Sequence, residues 1–120
     1  MAAAKYRLDN LCAIVDVNGL QIDGATADVM PSEPLDKKFA AFNWNVIPVD
    51  GHDFQALEDA FAAAAACRNM PTVLLARTVK GRGVSFMEGD YGWHGKAPND
   101  EQFEKARAEL AARIAELEGK

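Results

Sequence analysis

Leu11-Cys12-Ala13-Ile14-Val15-Asp16-Val17, closed by Asn18-Gly19, is the stretch on which the fold turns. It is a short run of branched and apolar side chains that stops at a strong turn signal, and it reads as a buried strand. Two further runs join it. Val46-Ile47-Pro48-Val49 is a strand whose proline places it near a sheet edge or a strand end. Thr72-Val73-Leu74-Leu75-Ala76-Arg77-Thr78-Val79 is the clearest of the three. Continuous apolar runs suit parallel strands covered on both faces. Strands are therefore expected near residues 11–17, 45–49 and 72–79.

Helical patterns separate the strands. Ser32 is placed to cap a segment with Leu35, Phe39 and Phe42 on one face. Asp53 is placed to cap another, with Phe54, Leu57, Phe61 and Ala64 aligned before Asn69 and Pro71 end it. Asn99, with Gln102 three residues later, has the capping-box arrangement, and Phe103, Ala106, Leu110, Ile114 and Leu117 form an apolar stripe behind it. Alanine occupies 22 of the 120 positions, concentrated in these helical stretches, which favours close packing of helices on a sheet. The alternation of strand and helix describes an α/β chain with a mostly parallel sheet flanked by helices. Met1-Ala2-Ala3-Ala4-Lys5-Tyr6-Arg7-Leu8 reads as the last turns of a helix that begins earlier, so the chain is expected to be the later part of a domain.

Composition narrows the function. A net charge of −5 argues against binding to nucleic acid, which needs a basic surface. No apolar run approaches the roughly 20 residues of a membrane helix. Cys12 and Cys67 stand far apart in apolar surroundings and read as small core residues, which fits the reducing cytoplasm. With two histidines and no CxxC pair, a structural zinc site is not expected.

Three loops carry possible chemistry. Asp16-Val17-Asn18-Gly19-Leu20-Gln21-Ile22-Asp23-Gly24 follows the first strand, at the sheet edge where ligands bind in such folds. Asn18 with a following backbone carbonyl offers the hard oxygen ligands that Mg²⁺ prefers, although Asn-Gly taken by itself reads first as a plain turn. Lys80-Gly81-Arg82-Gly83 follows the third strand, with two cations and glycines that admit close backbone approach to an anion. His94, in Tyr91-Gly92-Trp93-His94-Gly95-Lys96-Ala97-Pro98, lies on a glycine-flanked loop and can bond a phosphate, carry a proton, or make a structural bond. His52, just before a helix cap, reads as structural.

In order along the chain, Leu8-Asp9-Asn10-Leu11, the Asp16-to-Gly24 stretch, Phe42-Asn43-Trp44, Val49-Asp50-Gly51-His52-Asp53, Lys80-Gly81-Arg82-Gly83-Val84-Ser85-Phe86-Met87-Glu88 and Trp93-His94-Gly95-Lys96-Ala97-Pro98 resemble the thiamine-diphosphate domain of transketolase. The likeness is to the N-terminal subunit of the split, two-gene type, and it covers essentially the whole chain. It implies a three-layer thiamine-diphosphate-binding fold, of which residues 1–120 are a partial domain lacking its front half. It implies transfer of a two-carbon ketol unit between sugar phosphates, with thiamine diphosphate and Mg²⁺ as cofactors. Asn18 would give a magnesium ligand through its side chain and Leu20 one through its carbonyl. His94 would contact the diphosphate or the reacting oxygens as the catalytic candidate, and Lys80 would contact the cofactor. The implied partners are a complementary C-terminal subunit and sugar-phosphate substrates, in an oligomeric complete enzyme. The family's opening Gly-Asp-Gly, with its aspartate ligand, is absent, as is the glutamate that activates the cofactor. A deoxyxylulose-phosphate synthase or a 2-oxo-acid dehydrogenase component shares this domain, although the Trp93-to-Pro98 stretch favours transketolase. A non-catalytic α/β interaction module is the alternative from another class.

Overall fold

The computed structural model of the chain describes residues 1–119. Its elements, in chain order, are α1 (Ala2–Lys5), β1 (Cys12–Val17), β2 (Leu20–Gln21), β3 (Gly24–Ala25), α2 (Thr26–Val29), α3 (Leu35–Ala41), β4 (Asn45–Asp50), α4 (Phe54–Ala66), β5 (Thr72–Arg77) and α5 (Asp100–Glu118). They form two compact units, one of Met1–Asn18 with Pro31–Thr78, the other of Gly19–Met30 with the chain from Val79 onward.

The first unit is built on a three-stranded sheet in the order β1-β5-β4. Both pairs are parallel, with Val17 opposite Arg77 in one and Asp50 opposite Arg77 in the other. β5 takes the centre because it carries no charge before Arg77, and Thr72 through Ala76 are all buried. β4 is an edge strand, the place a strand containing Pro48 can occupy without breaking a central ladder. α4 covers one face. Asp53 caps it by accepting from the Ala56 N–H at 3.1 Å, and Ala60, Ala56 and Leu57 pack with Leu74, Ala76, Val49 and Ile47. Small side chains let the helix approach closely, so the unit has a dense but small core.

Four expectations change here. Ser32 does not cap α3: the helix begins at Leu35 after Pro34, and no side chain caps it. The reason is local, because Pro34 holds the residue before it out of the helical region and delays the start. The Leu35 N–H is instead met by the Glu33 carboxylate at 2.8 Å. β5 stops at Arg77, two residues short of the expected end. β1 is not covered on both faces but alternates exposed and half-buried residues, as a strand with one open face does, leaving Ile14 58% exposed. Cys12 is correspondingly exposed and Cys67 only half-buried, and both are free thiols.

The second unit joins a β2–β3 antiparallel hairpin and the short α2 to the segment after β5. This hairpin had no counterpart among the expected elements. Residues 80–89 fold back on themselves, with the Gly89 N–H donating to the Lys80 carbonyl at 2.9 Å. Gly81 has φ +72°, and a Cβ there would lie 2.5 Å from the Met87 carbonyl oxygen, so only glycine fits. A 3-10 turn, Tyr91–Trp93, leads to α5, whose Asn99–Gln102 capping box forms as expected. Its apolar stripe is less covered than the pattern suggests, with Phe103 53% and Ile114 55% exposed.

Candidate functional site

Parallel pairing makes β1 and β5 leave the sheet at the same edge, their carboxyl end, where α/β sheets hold ligands. Asn18 is the first residue past β1, as the sequence led us to expect, and it is half-buried. Thr78 is the first residue past β5 and binds back to β1. Its N–H donates to the Val17 carbonyl at 3.3 Å, and its hydroxyl donates to the Asp16 carboxylate. On the β4 side, the Gly51 N–H donates to the Arg77 carbonyl at 2.8 Å. The three strand ends are thus tied laterally before the loops diverge. A cavity of about 160 Å³ in this unit is lined by Val17, Glu33, Asp36, Pro48, Leu75 and Arg77. That is below the ~300 Å³ at which cofactor pockets begin, so it is not by itself a cofactor pocket.

Leu20, Lys80 and His94 all belong to the second unit. Leu20 opens the hairpin, in which the Thr26 N–H and hydroxyl both donate to the Gly19 carbonyl, at 2.9 and 3.2 Å. Lys80 and Arg82 form no ion pair among the described residues, which leaves both charges available to an anion. His94 is exposed and ends the 3-10 turn, its N–H donating to the Tyr91 carbonyl at 3.0 Å. The turn is fixed from both sides. The Asp90 carboxylate accepts from the Gly92 N–H at 2.7 Å. The Trp93 indole N–H donates to the Phe86 carbonyl at 3.0 Å, and the two rings meet edge to face at 5.3 Å. Residues 80–94 are therefore held together by hydrogen bonds that run from Lys80 to the residue before His94.

The same loop is anchored to α5. The Ser85 N–H and hydroxyl donate to the Glu109 carboxylate at 2.7 and 2.6 Å. The Ser85 hydroxyl, then its backbone N–H, hold the Glu109 carboxyl below the ordinary glutamate value. Partial burial pushes the Cys12 thiol up, the wrong direction for a nucleophile.

The available donors limit metal binding. Among the described residues no group of three or more His, Cys, Asp or Glu side chains gathers to hold an ion. The Asn18 amide and the Leu20 carbonyl are both neutral oxygens. Magnesium needs near-octahedral oxygen coordination and sheds water reluctantly. Each of these two residues has the donor chemistry of a magnesium ligand, and neither supplies a charge.

A parallel α/β unit whose strands end together at one edge belongs to the class of sheets that hold ligands at their carboxyl ends. Comparison with known proteins makes this specific. The family model for the transketolase thiamine diphosphate binding domain matches residues 1–116, and the chain belongs to that family. It is 41% identical over 98% of its length to an apulose-4-phosphate transketolase subunit of Phocaeicola vulgatus, of which it covers 42%. It is 40% identical over 92% of its length to a 6-deoxy-6-sulfo-D-fructose transketolase subunit of a Clostridium species, of which it covers 40%. The chain thus spans about two-fifths of the length of these relatives. Its fold superposes on the crystal structure of transketolase from Campylobacter jejuni with a TM-score of 0.83, at 27% identity, over 92% of this chain and 17% of that one. No helix among the described residues is long and apolar enough to cross a membrane.

Proposed function

We propose that this chain is the thiamine-diphosphate-binding part of a split-type transketolase, acting in the cytoplasm with a complementary C-terminal subunit on sugar-phosphate substrates. The observation that carries the reading is the position of Asn18, directly past a parallel strand whose end is hydrogen-bonded to the end of the central strand. In this reading the Asn18 side-chain oxygen and the Leu20 carbonyl are magnesium ligands. Lys80 neutralises diphosphate charge, and His94 bonds the diphosphate or the reacting oxygens of the sugar. Thiamine diphosphate supplies the carbon nucleophile for ketol transfer when bound. What the chain's own residues do is bind, orient and donate. The relatives named above differ in the sugar that each one's name gives, one phosphorylated and one sulfonated, so neither sugar is carried over.

Two neutral oxygens offset little of the cost of dehydrating Mg²⁺, and the chain's own carboxylates do not gather to help among the described residues. Calorimetric titration of the 120-residue chain with thiamine diphosphate and Mg²⁺ should therefore show weak binding or none. Ketol transfer should be absent from the chain alone and appear only with the rest of the enzyme supplied. Tight binding by the chain, or turnover without added protein, would refute this division of the site.

A further inference from the structure

Asn18 lies past the last rung of an edge strand. The residues just before it are held by Thr78, at the exit of the central strand. Because β5 lies between β1 and β4, the two branches of the Thr78 side chain face opposite neighbours. The hydroxyl donates to the Asp16 carboxylate on the β1 side. The methyl faces Gly51 on the β4 side, where an added Cβ would come within 2.5 Å of it and within 3.1 Å of the Arg77 carbonyl oxygen. Real Cβ atoms do not approach a methyl that closely, so glycine at position 51 makes the space that the methyl fills. A β-branched side chain has few χ1 choices. With the methyl lodged beside Gly51 and the backbone N–H on the Val17 carbonyl, the hydroxyl is directed at Asp16.

We propose that Thr78, seated on Gly51 and bonded to Asp16, is the positioning residue for Asn18: it fixes the carboxyl end of β1 so that the Asn18 amide is presented without rearrangement. The proposal deepens the reading of Asn18 as a magnesium ligand and rests on it. No contact of Thr78 with cofactor is required. A site that relies on neutral ligands depends on their being held in place, since any ordering left to the moment of binding is subtracted from a small gain.

The test uses Thr78→Val, which keeps both branches and removes only the donor, and Asp16→Ala, which removes the acceptor from an edge strand. In the full chain, amide hydrogen exchange at residues 78 and 18 should speed up by about tenfold in either variant, the size expected for one lost hydrogen bond. Exchange at Leu74, in the middle of β5, should stay unchanged, and Thr78→Ser, which keeps the donor but loses the methyl beside Gly51, should exchange at residue 18 at a rate between the parent and Thr78→Val. In the enzyme assembled with its complementary subunit and the front half of the domain, Thr78→Val should raise the Mg²⁺ concentration for half-maximal activity by about tenfold, more than it lowers kcat. Unchanged exchange at residue 18 in both variants, or equal acceleration at Leu74, overturns the proposal. So does a raised Mg²⁺ requirement in Asn18→Ala that Thr78→Val does not share. An Asn18→Ala enzyme with an unchanged Mg²⁺ requirement would instead refute the assignment of Asn18 as a ligand.

Discussion

Glu109 shows how one half-buried carboxylate can hold a loop. It accepts two hydrogen bonds from Ser85, and these favour its charged form. A carboxyl whose folded-state value is depressed stabilises the fold above its unfolded value and loses that contribution as pH falls through the folded one. The anchoring of Ser85 should therefore be complete near neutrality and vanish on acidification below the ordinary glutamate value of 4.5. The Ser85 amide resonance, followed by NMR from pH 7 to about pH 3, should shift with a midpoint below that value. In Glu109→Gln the midpoint should disappear. The contact was not legible in the sequence, because Ser85 and Glu109 stand twenty-four residues apart and neither lies in a local motif. The Thr78–Asp16 bond, spanning sixty-two residues, was hidden for the same reason. Asn18 was legible, since its place depends only on where β1 stops.

At the scale of elements, capping was readable where no proline intervened. The Asn99 side chain accepts from the Gln102 N–H at 2.9 Å, and the Gln102 side chain accepts from the Asn99 N–H at 3.0 Å. Asn99→Ala should cost about 1 kcal/mol, read as a lower denaturant midpoint without a change in slope. Ser32 offered the same local signal but was overruled by Pro34 two positions on. Strand positions were set by apolar runs and were recovered within two residues, whereas their coverage was not. An apolar run says that a strand is suited to burial, and β1 shows that what lies against it is a separate matter. The β2–β3 hairpin is two residues per strand, too short for any periodicity to register. Its loop is Ile22-Asp23, which lacks the Asn-Gly or Asp-Gly centre that announces such a turn.

For the molecule as a whole, the sheet has one well-buried strand and two edges. An edge strand with exposed apolar residues is a template for pairing with another chain. β1 presents Ile14 at 58% exposure, with no lysine along the strand. The isolated chain should self-associate as its concentration rises, and Ile14→Lys should suppress this in sedimentation experiments while leaving the circular dichroism spectrum unaltered. A weight-average mass that is independent of concentration in the parent chain would contradict the expectation.

The two units are interleaved along the chain, which passes between them after Asn18, after Met30 and after Thr78. Neither unit is one continuous run of sequence, so neither can be moved into another protein by copying a single stretch of codons. Recombination that exchanged everything after Thr78 would import a new partner for a hairpin it left behind. Two of the three passages also abut the residues that tie β1 to β5. Evolution or engineering that swaps blocks at these joints therefore alters the strand-end clamp and the compact unit together, and a graft that respects both must carry residues 19–30 along with the segment after Thr78.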